Sequence, residues 1–159
     1  MIRGIHHIAI NTPNLERLVD FYVRAFGFEL IPDGDLEWRG NGFIDSIIGV
    51  PGSAARSQRL RAGTCYLEVF EYSAPAAREG GAARPHDHAY THFAVEVRGF
   101  DEECARLAAL GMRFATDPVV AGRAKAIYGY DPDGNIIEIL ENRPDHPFAF
   151  GKAGVAGFG

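Results

Sequence analysis

The chain has 159 residues, 47% of them hydrophobic, which suits one compact domain with a sizeable core. Its net charge is −5, with Lys and Arg scattered rather than clustered, and this excludes nucleic acid or an anionic membrane surface as the main partner. No apolar run approaches the roughly 18 residues of a membrane span, Met1-Ile2-Arg3 leads into a strand-like run without a signal-peptide core, and two cysteines, Cys65 and Cys104, make no disulfide framework; a soluble cytoplasmic protein with reduced thiols is expected.

In chain order, residues 4–11 read as a buried strand. Thr12-Pro13-Asn14 makes a turn with Asn14 as N-cap. Leu15, Leu18, Phe21, Tyr22, Ala25 and Phe26 then recur at helical spacing, and Gly27 stops the helix as a left-handed C-terminal glycine. Residues 28–32 read as a short strand. Residues 33–63, which hold Trp38, Gly40, Gly42, Pro51 and Gly52, read as loop-rich with short strands. Residues 65–72 are a clear strand, and the Ala-, Gly- and Pro-rich stretch 73–87 reads as a linker or surface loop.

The second half repeats this order. Residues 90–97 read as a strand and 100–110 as a helix, with Cys104, Leu107 and Ala108 on one face and Glu102, Glu103 and Arg106 on the other. Gly111 ends that helix, 112–115 form a short strand, and 124–130 and 135–141 form a hairpin around Asp131-Pro132-Asp133-Gly134. From Arg143 the chain is rich in Gly, Ala, Pro and Phe. It reads as an ordered arm against a partner subunit, since Phe148, Phe150 and Phe158 are unfavourable to leave in water, with a loose tail as the alternative. The expected fold is α+β: two paired modules, about residues 4–73 and 89–141, forming a cupped mixed sheet with the helices outside. They make one domain over 1–145, followed by a tail over 146–159.

The repetition extends to chemistry. His7-Ile8-Ala9-Ile10 recurs as His92-Phe93-Ala94-Val95, and Tyr66-Leu67-Glu68-Val69-Phe70-Glu71 as Ile136-Ile137-Glu138-Ile139-Leu140-Glu141. Strand side chains alternate faces, so Ile8, Ile10, Leu67, Val69, Phe93, Val95, Ile137 and Ile139 can face the helices while His7, Glu68, His92 and Glu138 face the cup. A carboxylate in such an apolar strand is unfavourable unless paired or metal-bound. Two carboxylates and two neutral imidazoles suit one divalent transition ion, Ni, Co, Zn, Mn or Fe(II), rather than Ca or Mg. Ala9 and Ala94 leave room beside it. His6 has the wrong parity for the cup, Glu71 and Glu141 fall on the opposite face as solvated strand ends, and His86, Asp87 and His88 form a loop cluster. No nucleophile elbow, P-loop or dinucleotide fingerprint is present.

With these pieces, and with Asp20-Phe21-Tyr22, Phe26-Gly27-Phe28, Thr91 to Glu96 and Asp131 to Glu138, the chain over roughly residues 4–141 resembles the vicinal oxygen chelate superfamily. That group includes glyoxalase I, methylmalonyl-CoA epimerase, extradiol dioxygenases, fosfomycin-resistance enzymes and bleomycin-binding proteins. The resemblance implies paired βαβββ modules, a metal at His7, Glu68, His92 and Glu138, a homodimer and a small-molecule substrate. Its chemistry would be isomerisation, epimerisation or lysis next to a metal-chelated carbonyl, with Glu138 or Glu68 as base. The His/Glu/His/Glu set resembles bacterial-type glyoxalase I, whereas extradiol dioxygenases use two His and one Glu. Asn11 stands where glyoxalase I carries an arginine for glutathione, and Asp45 is the nearest match to the epimerase's separate catalytic carboxylate. Two alternatives stand beside this reading: a metal-free protein sequestering an aromatic ligand between Tyr66, Phe70, Tyr128 and Trp38, and an Fe(II) extradiol-type dioxygenase.

Overall fold

In the computed structural model, which describes residues 1–2, 4–78 and 82–150, the chain divides into two units, Met1–Gly80 and Gly81–Gly159. The division falls inside the stretch read as a linker.

The first unit runs β1 (His7–Asn11), α1 (Leu15–Phe26), β2 (Glu29–Arg39), α2 (Gly42–Ile48), β3 (Ala54–Ala62) and β4 (Cys65–Ala74). Its sheet has the order β1-β4-β3-β2, with β1 parallel to β4 and the other pairs antiparallel. The Asn14 side chain accepts from the Arg17 N–H at the start of α1, and Gly27 ends the helix at φ 65°, a conformation open to glycine without steric penalty. Leu18, Tyr22 and Ala25 on α1 are fully buried, as are Leu60 and Val69, and α1 packs on β3 and β4.

The second unit runs β5 (His92–Glu96), α3 (Phe100–Ala109), β6 (Arg113–Phe114), β7 (Val119–Ala121), β8 (Ala124–Tyr130) and β9 (Ile136–Asn142). Its order is β5-β9-β8-β6, with β7 also on β8, and β5 is parallel to β9. Two short strands on β8 thus take the place of the single long β2, which itself shifts register between Leu30 and Asp35. The hairpin turn is held by Asp131, fully buried, whose carboxylate accepts from the backbone N–H groups of Asp133 and Asn135 and from the Asn135 amide. The α+β class with two βαβββ-type modules is as expected. Among the described residues no helix is long and apolar enough to cross a membrane.

Three expectations need correction. The first strand begins at His7 rather than residue 4, where its parallel pairing with β4 starts opposite Tyr66; Ile5 is exposed. Residues 33–63 are not loop-rich: they carry most of β2, the Asn41-capped α2 and the nine-residue β3. The sequence of β3, AARSQRLRA, lacks apolar alternation because ion pairs flank it on both sides: Arg56 with Glu16 and Glu71, Arg59 with Glu68, and Arg61 with Glu29. On α3, Phe100 and Leu107 are the buried residues; Ala108 is exposed and Cys104 half-buried. In the tail, Phe148 and Phe150 are exposed, and Phe158 lies outside the described residues.

Candidate metal centre

Each unit brings its own His and Glu together. In the first, Ala9 stands directly across the parallel ladder from Glu68, and His7 across from Tyr66. With only a methyl opposite the glutamate, the imidazole one pair away leans diagonally, and His7 Nε2 lies 3.6 Å from Glu68 Oε2. The second unit repeats the arrangement. Ala94 pairs with Glu138 and His92 with Ile136, and His92 Nε2 lies 3.4 Å from Glu138 Oε2. The alternation that sets this up is visible in burial: Leu67, Val69, Ile137 and Ile139 are at most 2% exposed, while His7 and Ala9 lie open.

These separations are longer than a hydrogen bond. They suit a nitrogen and an oxygen that each sit about 2.1 Å from a shared ion, so within its own unit each pair fits mixed N/O metal ligation. The imidazoles are also oriented from behind. Thr91 Oγ1 lies 3.0 Å from His92 Nδ1; the tautomer protonated at Nδ1 donates to that oxygen and leaves the Nε2 lone pair facing Glu138. His7 Nδ1 lies 2.9 Å from His6 Nδ1, and the His6 ring packs on Tyr66 at 5.1 Å, so His6 supports its neighbour. Among the described residues, no group of three or more His, Cys, Asp or Glu side chains is gathered as a metal set; what is gathered is two pairs.

The surroundings of the glutamates differ. Glu68 pairs across the antiparallel ladder with Arg59, whose Nη2 donates to Glu68 Oε1 at 2.5 Å. Glu138 pairs in the same way with Tyr128. That ring sits 4.8 Å from the His92 ring, with its hydroxyl 3.4 Å from Nε2. Burial, and then the charge of Glu138, push the Tyr128 phenol above its ordinary value; burial and Glu68 do the same for Tyr72. Trp38 is buried, donates from Nε1 to Ser53 Oγ at 2.7 Å, and meets Phe70 and Tyr72 edge-on.

Glu71 and Glu141 are not solvated strand ends. The Leu15 N–H donates to Glu71 Oε2 at 2.7 Å, and the Gly99 N–H donates to Glu141 Oε1 at 2.8 Å. Each therefore receives a free N–H at the start of its unit's helix. Their repetition three residues after Glu68 and Glu138 was the available signal. Arg59 carried a fainter one: counting outward from the Gly63-Thr64 turn places it opposite Glu68. Asp45 is structural, accepting from the Gly52 and Ser53 N–H groups and from Ser53 Oγ, and these bonds hold its carboxyl below the usual range, that from the Ser53 hydroxyl foremost. His86 and His88 lie in an exposed turn closed by Asp87, which accepts from the Arg84 N–H.

The same two-module pattern recurs among known proteins. The family profile of the Glyoxalase/Bleomycin resistance protein/Dioxygenase superfamily matches residues 4–139. A 2-epi-5-epi-valiolone epimerase from Actinomyces is 30% identical over 158 residues, covering 91% of this chain and 82% of the relative. A glyoxalase family protein from Bacillus cereus superposes with a TM-score of 0.80 at 16% identity, over 90% of this chain and 96% of that one. The fosfomycin resistance protein FosX from Listeria monocytogenes, in complex with Mn(II) and sulfate, superposes with a TM-score of 0.58 at 19% identity, over 91% and 96%.

Proposed function

Because the chain belongs to the Glyoxalase/Bleomycin resistance protein/Dioxygenase superfamily, we propose that it is a divalent-metal-dependent isomerase, epimerase or lyase of the glyoxalase type. Its substrate is a small molecule with a carbonyl beside a second oxygen. The observation that carries this reading is the duplicated His–Glu pair, His7 with Glu68 at 3.6 Å and His92 with Glu138 at 3.4 Å. The pairs stand at matching strand positions in both units. An epimerase among the relatives and a Mn(II)-bound structural neighbour support the same chemistry.

His7, Glu68, His92 and Glu138 would hold a transition ion such as Ni, Co, Zn, Mn or Fe(II), which when bound would supply Lewis-acid stabilisation of negative charge on substrate oxygen. The chain's own part is proton transfer. A carboxylate of the set, Glu138 or Glu68, takes the proton from the carbon next to the carbonyl and returns it to the other face or to a neighbouring atom. Ala9 and Ala94, opposite the glutamates, keep space for that substrate. Family members often act as dimers, and the working form proposed here is a homodimer in the cytoplasm.

The test is the metal content of the protein purified without added metal. About one transition ion per chain is expected, lost in His7→Ala and in His92→Ala. No bound ion, and no uptake from Ni, Co, Zn or Mn, overturns the reading. A second reading, a metal-free protein that sequesters a ligand, draws support from Arg59, which already neutralises Glu68. It predicts that outcome together with aromatic-ligand binding.

A further inference from the structure

The two units place their glutamates alike but treat them differently. Arg59 Nη2 donates to Glu68 Oε1 at 2.5 Å, and Glu68 Oε2 looks toward His7 Nε2 at 3.6 Å. Both oxygens are assigned, and the side chain is only 9% exposed. Glu138 has no cationic Lys or Arg partner among the described residues. One of its oxygens lies 3.4 Å from His92 Nε2, and its side chain is 24% exposed.

Arg59 itself shows what it is aimed at. Its guanidinium carries five N–H donors in a fixed fork; among the described residues the guanidinium donates to Glu68 alone, and Nε is buried without a partner. Three residues earlier on the same strand, Arg56 behaves as an arginine that serves the fold. It spends its fork on Glu16 and Glu71, donating from Nη2 at 2.8 and 2.9 Å. Arg61, two residues after Arg59 and on the same face, pairs with Glu29 at the sheet's far edge. Arg59 alone of the three is turned onto a candidate ligand, and it leaves a buried donor unsatisfied to be there. Such a donor is unfavourable to bury, so the placement calls for a return that the fold of β3 does not supply.

We infer that Arg59 is a positioning residue: it fixes Glu68 through Oε1 and leaves that carboxylate a single oxygen, Oε2, to offer a metal ion on the side of His7. This rests on the metal-dependent reading above. Glu68 is fixed by an ion pair at one oxygen and turned toward His7 at the other, whereas neither oxygen of Glu138 meets a Lys or Arg among the described residues.

The experiment is a titration of the full-length protein with Co(II), followed by its visible absorption, in the wild type and in Arg59→Met, Arg59→Gln, Arg59→Lys and Arg61→Met. Co(II) absorption reports the number and arrangement of ligands, which a purely structural arginine would not alter. In Arg59→Met and Arg59→Gln the spectrum is expected to change and the affinity to fall about 10–100-fold, the usual effect of losing a residue that orients a ligand. Arg59→Lys, which can still donate to Oε1, is expected to recover most of both. Arg61→Met removes an equal charge from the same strand face and is expected to match the wild type. A wild-type spectrum and affinity in either folded Arg59 variant, or an equal change in Arg61→Met, overturns the inference. A wild type that takes up no Co(II) overturns the metal reading, and that result is read before any Arg59 variant is compared.

Discussion

The two units show how far a duplicated pattern constrains a protein and where it leaves freedom. Both put a histidine on the first strand, a glutamate on the last, an alanine opposite that glutamate, and a second glutamate under the first helix. These shared positions follow from strand period and ladder register, which change only if every side chain on the strand changes face. The neighbour contributed by the adjacent antiparallel strand is under no such constraint. There Arg59 faces Glu68 and Tyr128 faces Glu138. Duplication preserves the His–Glu pair, and divergence at one cross-strand position gives the two carboxylates different neighbours.

The sharpest way to break this comparison is to exchange each glutamate for its amide. Glu138→Gln is expected to cut turnover at least about a hundredfold, the scale of losing a general base. Glu68→Gln keeps an oxygen that can still accept from Arg59 and is expected to lose less. The measurement is deuterium uptake from D2O at the carbon next to the substrate carbonyl. Equal losses in the two variants would remove the functional asymmetry, and unchanged turnover in both would remove the carboxylate as base.

A second difference lies on the helix-facing side. In the first unit Leu60 pairs with Leu67 and is fully buried. The matching position in the second unit, one residue beyond the glutamate's cross-strand neighbour, is Gly129, paired with Ile137. The space is taken by Met112, 3% exposed; a Cβ on Gly129 would sit 2.2 Å from Met112 Cε and 3.1 Å from its Sδ. Leu60→Ala is therefore expected to destabilise by about 2–5 kcal/mol. Gly129→Ala is expected to cost about 1–3 kcal/mol through overpacking, partly relieved when Met112 is also shortened to Ala. Chemical denaturation of Leu60→Ala, Gly129→Ala, Met112→Ala and the Gly129→Ala/Met112→Ala double variant checks this. Simple additivity of Gly129→Ala and Met112→Ala would mean the two positions do not share that space.

How much of this could be read in the sequence depended on distance along the chain. The faces of His7, Glu68, His92 and Glu138 were legible because alternation fixes them within a few residues. So was α1, where Asn14 and Gly27 mark both ends. β3 was not legible, since a central strand balanced by Arg56, Arg59 and Arg61 has no apolar period to detect. Parity puts Glu71 and Glu141 on the face they occupy, but it does not reveal the helix-start N–H groups they meet there. Parity says which way a side chain points, and only the fold says that a helix start waits there.

That last pair allows the finest discrimination between the units, because the two helices begin differently. α1 has two acceptors at its start: the Asn14 side chain, which takes the Arg17 N–H, and Glu71, which takes the Leu15 N–H while paired with Arg56. α3 starts from Gly99 at φ 73° with no side-chain cap of its own, and its nearest acceptor is Glu141 on the Gly99 N–H, an exposed bond. An unsatisfied N–H at a helix start matters more where water cannot replace the lost partner, and the Glu71 bond is partly buried. Glu71→Ala is accordingly expected to cost about 1–2 kcal/mol and Glu141→Ala about 0.5–1 kcal/mol, both within the range of lost caps. Asn14→Ala should fall near 1 kcal/mol. Urea unfolding at constant m resolves these differences. If Glu141→Ala proved the costlier, α3 would depend on its single carboxylate more than α1 depends on its two acceptors. The scarcity of caps, rather than their burial, would then set the stability of each helix start.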